Sequence, residues 1–135
     1  MKNLFRLFII ILILATFNSC KKNSDDSLIG EWQWTKSIGG FASHTITPSV
    51  NTIVTLRFKS NLTYTIYINN QIQEQGVYSL SASQNYTIVD FSKTVVSDKL
   101  YLQNDQMISK IGNGELVLFD NNISDGFAHY FDKIK

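Results

Sequence analysis

Between Leu62 and Asn69 the chain reads LTYTIYIN, with Leu62, Tyr64, Ile66 and Ile68 on one parity and Thr63, Thr65 and Tyr67 on the other. Successive side chains of a strand point to opposite faces, so this two-residue period predicts a strand with one face on a core. The same alternation recurs along the chain. LIGEWQWTK sets Leu28, Gly30, Trp32 and Trp34 against Ile29, Glu31, Gln33 and Thr35. TIVTLRF (52–58) sets Val54, Leu56 and Phe58 against Ile53, Thr55 and Arg57, and QEQGVYSL puts Gly76, Tyr78 and Leu80 on one face. Further strands are predicted at 86–91, 99–103, 107–111, 115–119 and 127–134. The breaks between them, KSN, NNQ, SASQ, ND, GNG and NNISDG, are rich in residues that tolerate left-handed backbone or bond their own chain. Gly76 is expected at a bulge or a close backbone approach.

Eight to ten strands joined by short turns predict an all-β antiparallel meander. A sheet of that size either splits into a β-sandwich or closes into a barrel, and closure removes its exposed edges. Composition agrees: nine Phe, six Tyr and two Trp suit a pleated surface, and Pro48 is the single proline. The one longer connection, FASHTITPSV (41–50), is expected to lie across one end of the sheet as a flap. No Gly-, Pro- or Ser-rich block divides residues 28–135, which predicts a single domain.

The N-terminus has a different character. Lys2 and Arg6 precede LFIIILILATF (7–17), an apolar run followed by the small residue Ser19. A membrane-spanning helix needs about 20 apolar residues. This run is little more than half that, so the layout predicts a cleaved secretory signal peptide. Its removal leaves ten basic residues against eleven acidic ones. That balance argues against a nucleic-acid partner held by phosphate neutralisation.

Directly after the leader stands FNSCKKNSDD, with the only cysteine, Cys20. A lone thiol in an exported chain otherwise implies a reactive group or an intermolecular disulfide. Ser19–Cys20 resembles the lipobox of bacterial lipoproteins, although Phe17 stands where that family most often has Leu. The resemblance implies cleavage before Cys20 and its modification by diacylglycerol and an N-acyl chain, so the lipid attachment residue is Cys20. Several acyl chains at about 0.8 kcal/mol per buried methylene anchor firmly, where one chain is marginal. Lys21, where some lipoproteins carry an Asp that retains them in the inner membrane, implies an outer-membrane address. KKNSDD resembles a short surface-export tag, and reads equally as a solvated linker. Asp26–Leu28 resembles a bacterial O-glycosylation site. The expected organisation is therefore a signal peptide at 1–19, a lipidated tether at 20–27 and a β domain at 28–135.

LIGEW (28–32) resembles the Gly-x-Trp motif that opens the first strand of the lipocalin superfamily. GEWQWTKSIGG with LRFKSNLTYTIYINNQIQEQGVYSL is similar to small lipocalin-like lipoproteins of Gram-negative bacteria. The resemblance covers nearly all of 28–134 and implies one up-and-down lipocalin-like β-barrel, with Trp32 plugging its closed end. Lipocalins usually stack an Arg near the C-terminus on that Trp. Here the last strand offers Lys133, which can also stack, without a planar fork.

Trp32, Trp34, Phe58, Tyr64 and Tyr78 are the candidate pocket or barrel-plug residues, because sites in barrel mouths are mostly apolar. Inward alternation explains the same residues as core, which is the favoured reading. His44 and His129 lack neighbours at zinc spacing, so no metal site is expected, and His129 reads as decoration of a strand face. DNNISDG (120–126) is oxygen-rich but lacks the EF-hand alternation and reads as a hairpin turn. Glu31, Glu74 and Asp90 show no spacing that pairs them as acid and base. No nucleophile elbow, phosphate loop or dinucleotide fingerprint is present, so neither an enzyme nor a cofactor is expected. The sequence predicts a membrane-anchored envelope protein that binds a small apolar ligand or a partner protein. The alternative is a structural or accessory surface subunit with a filled barrel.

Overall fold

A computed structural model describes residues 28–135. Cys20, the leader and the tether lie outside the described residues. Eleven strands are found among the described residues: β1 (Gly30–Gly39), β2 (His44–Ile46), β3 (Val54–Phe58), β4 (Thr63–Ile68), β5 (Gln71–Ser83), β6 (Tyr86–Phe91), β7 (Val95–Ser97), β8 (Leu100–Leu102), β9 (Asp105–Gly112), β10 (Glu115–Asp120) and β11 (Phe127–Lys133). Eight of them, β1, β3, β4, β5, β6, β9, β10 and β11, form one antiparallel sheet that closes on itself through pairing of β11 with β1. The seam runs from Trp32↔Lys133 to Gly39↔Phe127. The expected barrel is therefore observed, and the sandwich is not.

Strand neighbours in the barrel are neighbours in sequence, so its two ends have distinct contents. At one, here the terminal end, lie Leu28, the β3–β4 turn, the β9–β10 turn and the C-terminus. Glu31 N–H donates to Lys135 O at 3.0 Å and Ile134 N–H to Glu31 O at 2.8 Å, which ties the two ends of the domain together. Gly30 permits this. Its φ is +141°, and a Cβ there would lie 2.5 Å from Lys135 O, so the position excludes a side chain on both conformational and steric grounds. Gly76 likewise sits where a Cβ would come within 2.6 Å of the Tyr64 ring, the expected close approach. The nearby bulge begins two register steps away, between Ile66 and Tyr67 of β4 against Glu74 and Ile72 of β5.

The other end carries additions to the barrel. β2 pairs with Ser37–Gly39, beyond the point where β3 leaves β1. Between β6 and β9 the chain makes a separate hairpin, β7–β8, with Val95↔Leu102 and Ser97↔Leu100 in register. Val95, Leu100 and Leu102 are fully buried and join the barrel core, while Val96 and Tyr101 face out. The hairpin thus folds its apolar side over this end. Ser49 fastens its tip, donating from N–H and Oγ to the Asp98 carboxylate at 2.8 and 2.7 Å.

Four sequence expectations are corrected. The segment 41–50 is not wholly a flap, since His44–Ile46 forms β2. SASQ is not a loop: β5 runs on through Ser83 to pair with β6. Leu62 does not share the inward face of Tyr64, because it sits in the β3–β4 turn with φ +60° and is half exposed. The strand Val95–Ser97 was not anticipated. The Asn-rich turns behave as read: Asn69 and Asn70 both take positive φ, as a two-residue hairpin loop requires, and so do Asn113 and Gly114.

Candidate functional site

The five candidate pocket or plug residues, Trp32, Trp34, Phe58, Tyr64 and Tyr78, come together inside the barrel. All belong to one core cluster and none exceeds 3% exposure. Phe58 meets Tyr78 edge to face at 5.0 Å between ring centroids, and Tyr64 meets Phe91 in the same way at 5.1 Å. Such contacts prefer this geometry because the positive ring edge points at a negative face. Each polar tip is satisfied: Trp32 Nε1 donates to Leu28 O at 2.7 Å, Tyr78 Oη to Lys59 O at 3.0 Å and Tyr64 Oη to Glu74 Oε1 at 2.7 Å. Burial, then the hydrogen bond and charge of Glu74, push the Tyr64 hydroxyl well above its ordinary range, so it stays protonated. Lys133 Nζ lies 5.0 Å from the Trp32 ring centroid, the stacking cation that the last strand was expected to supply. The rings pack together inside the barrel, and Trp32 lies buried at its terminal end.

At the hairpin end the interior turns polar. Four adjacent strands, β1, β11, β10 and β9, each contribute one inward polar side chain: Ser37, His129, Asp120 and Gln106. They are 2%, 2%, 4% and 0% exposed, so every polar atom needs a partner within the fold. Trp34 Nε1 donates to Ser37 Oγ at 3.0 Å, and Ser37 Oγ lies 2.7 Å from His129 Nδ1. His129 Nε2 lies 3.2 Å from Asp120 Oδ1, which also accepts from Gln106 Nε2 at 2.7 Å. Asp120 Oδ2 accepts from Phe127 N–H at 2.9 Å. One proton assignment satisfies the chain from end to end. The Trp34 N–H points at Ser37, the Ser37 hydroxyl at unprotonated Nδ1, and Nε2–H at the carboxylate.

Local sequence explains how these groups meet. A bulge at Thr35 shifts the β1–β11 register between Trp34 and Lys36, so the inward parity passes from Trp32 and Trp34 to Ser37. Thr35 Oγ1 donates to Tyr130 O at 3.1 Å, which holds the bulge. Asp120 shares its face with Leu116 and Leu118, and His129 shares its face with Phe131. Burial would raise the Asp120 carboxyl, but hydrogen bonds from His129, Gln106 and Phe127 N–H outweigh it and hold the group below the ordinary carboxylate range. Among the described residues, Gln106 Oε1 and Ser97 Oγ are buried at this end without a hydrogen-bond partner.

Beside the hairpin, a cavity of about 260 Å³ opens onto the relay. Ile46, Tyr101 and Phe127 form its apolar walls, Ser37 and His129 its floor, and Lys99 its rim. Phe127 stacks on His129 with centroids 6.2 Å apart. The serine–histidine–aspartate order resembles that of a nucleophile, base and orienting acid. Here Ser37 Oγ accepts from Trp34 Nε1 and shares a hydrogen bond with His129 Nδ1, and Asp120 continues the relay, so it pins β1, β11 and β10 together at the closure seam.

His129 is thus not decoration, which corrects the expectation, and Asp120 is not merely the start of a turn. Both carried a signal: a polar residue sharing parity with buried apolar neighbours must find a buried partner. Ser37 carried none, because the bulge that turns it inward has no sequence mark. The other expected acids remain apart. Glu31 pairs with Arg57 and Lys135, Glu74 with Tyr64 and Lys93, and Asp90 accepts from Ser81 Oγ at 3.0 Å. Among the described residues no three metal-ligating side chains gather. Compared with models of protein families, with curated proteins and with solved structures, the chain shows no match.

Proposed function

We propose that this chain is a lipocalin-like lipoprotein of the cell envelope, matured at Cys20 and tethered by acyl chains at the outer membrane, that binds a small apolar ligand. The ligand site is the cavity beside the hairpin, not the barrel interior. The observation that carries this reading is the pairing of a ring-filled interior with an apolar cavity that opens beside the hairpin. Its volume, about 260 Å³, lies just below the roughly 300–1,000 Å³ of sites for drug-sized molecules, so the ligand is small. The protein acts by binding, without cofactor or metal, and Ser37 serves the wall.

Titration with a fluorescent short-chain fatty-acid analogue tests the site. Ile46→Lys, which places a charge in the cavity, is expected to weaken binding at least about tenfold, the scale of one buried-surface contact. Tyr67→Phe on the outer wall leaves it unchanged. Probe binding that ignores Ile46→Lys defeats the site, and covalent capture of Ser37 by a serine-directed phosphonate defeats the non-catalytic role. Anchorage has its own test: Cys20→Ala should release the protein from membranes, and a variant that stays membrane-bound defeats the lipoprotein reading.

A second reading, a structural or accessory envelope subunit that meets a partner protein through its surface, draws on the same filled interior. It is favoured by Phe41 and Val50, which stand 97% and 89% exposed in the loops of the hairpin end. Absence of any probe binding, with an intact fold, would select it.

A further inference from the structure

Charge is unevenly distributed along the barrel axis. Asp98, Asp105 and Asp125 are exposed at the hairpin end, with Lys99 among them and Asp120 buried within the wall. At the terminal end stand Arg57, Lys59, Lys110, Lys133 and Lys135, with the carboxylates Glu31, Glu115 and Asp132, of which Glu115 is paired with Lys110. Glu31 is shared by Arg57 and by Lys135, whose Nζ is 3.7 Å from Oε2. Among the described residues Lys59 and Lys133 form no ion pair, and Lys133 instead stacks on Trp32 beside Gly30. An open groove of about 510 Å³ runs through this surface, bounded by Ile29, Gly30, Glu31, Arg57, Lys59 and Lys135. Its three cationic side chains outnumber its one side-chain carboxylate, so the groove suits an anion that two ammonium groups and a guanidinium approach together.

The chain enters the domain at this same end. Leu28 is the first described residue, and the segment from Cys20 to Leu28, fully extended, reaches roughly 25–30 Å at about 3.3–3.6 Å per residue. We propose that the terminal end is a membrane-apposed face, and that the groove between Arg57, Lys59 and Lys135 takes the phosphate headgroups of anionic lipids. This inference rests on the lipoprotein reading for its geometry: a lipid on Cys20 holds the basic end within reach of the bilayer. The acidic hairpin end, with its cavity, then faces away from the membrane. The tether supplies anchorage and the groove supplies orientation.

The surface can be tested without the anchor, because residues 28–135 form a closed barrel with its own core. The chain from Cys20 onward, carrying Cys20→Ser, is floated with phosphatidylcholine vesicles with or without one part in four phosphatidylglycerol. Binding is expected to the anionic vesicles alone and to vanish at about 0.5 M salt, where screening is complete within a few ångströms. A cation near an anionic bilayer is worth about fivefold in partition, so Lys59→Glu with Lys135→Glu should weaken binding about 25-fold or more. Lys99→Glu at the opposite end should change nothing. Lys135 and Lys99 are exposed and Lys59 is half-buried, so a melting curve checks that the barrel is intact in each variant.

Equal binding to neutral vesicles, full binding by the double variant, or an equal loss from Lys99→Glu overturns the proposal. Displacement by inorganic phosphate at matched ionic strength also overturns it, in favour of a free-phosphate site. Mass spectrometry of Cys20 in the full chain judges the lipoprotein reading separately. An unacylated Cys20 defeats that reading whatever the vesicles show, and a failed vesicle assay leaves acylation untouched.

Discussion

The two ends of this barrel are sealed by opposite chemistry. The terminal end is closed by a tryptophan: Trp32, 1% exposed, donates to Leu28 O and lies beneath Lys133. The plug itself is held by apolar packing, a hydrogen bond to a backbone carbonyl and a stacked cation, with the ion pairs of Glu31 to Arg57 and Lys135 on the surface around it. The hairpin end is held by a relay of four inward polar side chains beneath an added hairpin. An apolar plug gives stability that varies little with pH. A buried polar relay gives register, because each of its groups is costly unless its neighbour is in place. The difference teaches that the terminal end is the stable frame, and that the hairpin end is where a change of protonation is felt.

The contrast breaks most sharply at Trp32. Replacement by Ala removes the largest side chain of the sealed end and leaves a cavity that the closed seam cannot collapse into. A loss of about 3–5 kcal/mol is expected in denaturant unfolding, with little change in the pH dependence of stability. Survival of the barrel with a loss under about 1 kcal/mol would show that the plug is dispensable.

The relay should break less severely and in a different way. His129→Ala leaves the Asp120 carboxylate without one of its donors and Ser37 without its acceptor, both inside the wall. The expected cost is about 2–3 kcal/mol at neutral pH. His129→Phe, which restores the volume but not the bonds, should recover only the packing part.

Protonation distinguishes the two ends without any substitution. The Asp120 carboxyl is held below its ordinary range, so the folded state binds its proton more weakly than the unfolded chain does. Its stabilisation is therefore complete above the unfolded carboxylate range, near pH 4, and disappears as pH falls through the lower folded value. Asp120→Asn should remove that part of the acid dependence and cost about 1–2 kcal/mol at neutral pH, since a neutral amide accepts the same bonds more weakly. An acid titration of stability that is identical in the parent and in Asp120→Asn would refute this account.

How far the sequence announced each end follows from the same physics. The terminal end was legible, because Gly30, Trp32 and Lys133 stand in the regular alternation of their strands. The barrel walls were legible for the same reason: two-residue periodicity survives wherever a strand keeps one face on the core. The hairpin end was largely hidden. A single bulge at Thr35 reverses the inward parity of β1, so Ser37 falls on the outward side of any uninterrupted alternation. β7 and β2 have three residues each, too few for a period to declare itself, whereas β8, equally short, falls within the strand expected at 99–103. Asp120 and His129 were visible only as polar residues on apolar faces, a sign that a partner exists but not which strand supplies it. Register across the seam decides that, and register is a property of the closed sheet.

The smallest expected effect sharpens the comparison from the sealed side. Lys133 could stabilise the terminal end through its charge over Trp32 or through the apolar stem that covers the ring. Lys133→Met keeps most of the stem and removes the charge, and a cation over an exposed aromatic face is worth about 0.5–1 kcal/mol. Lys133→Arg offers a planar group that stacks better on an indole, so it should match or slightly exceed the parent. A series in which Met falls below Lys, and Arg does not, assigns the contribution to the stacked charge. If Met and Lys are equal, the seal is purely apolar and the cation's place is at the surface, where added salt would screen it. Where Met does fall below Lys, salt tests the assignment: the gap should survive about 0.5 M salt in part if the ammonium is stacked, and close completely if it arises from an unstacked surface charge.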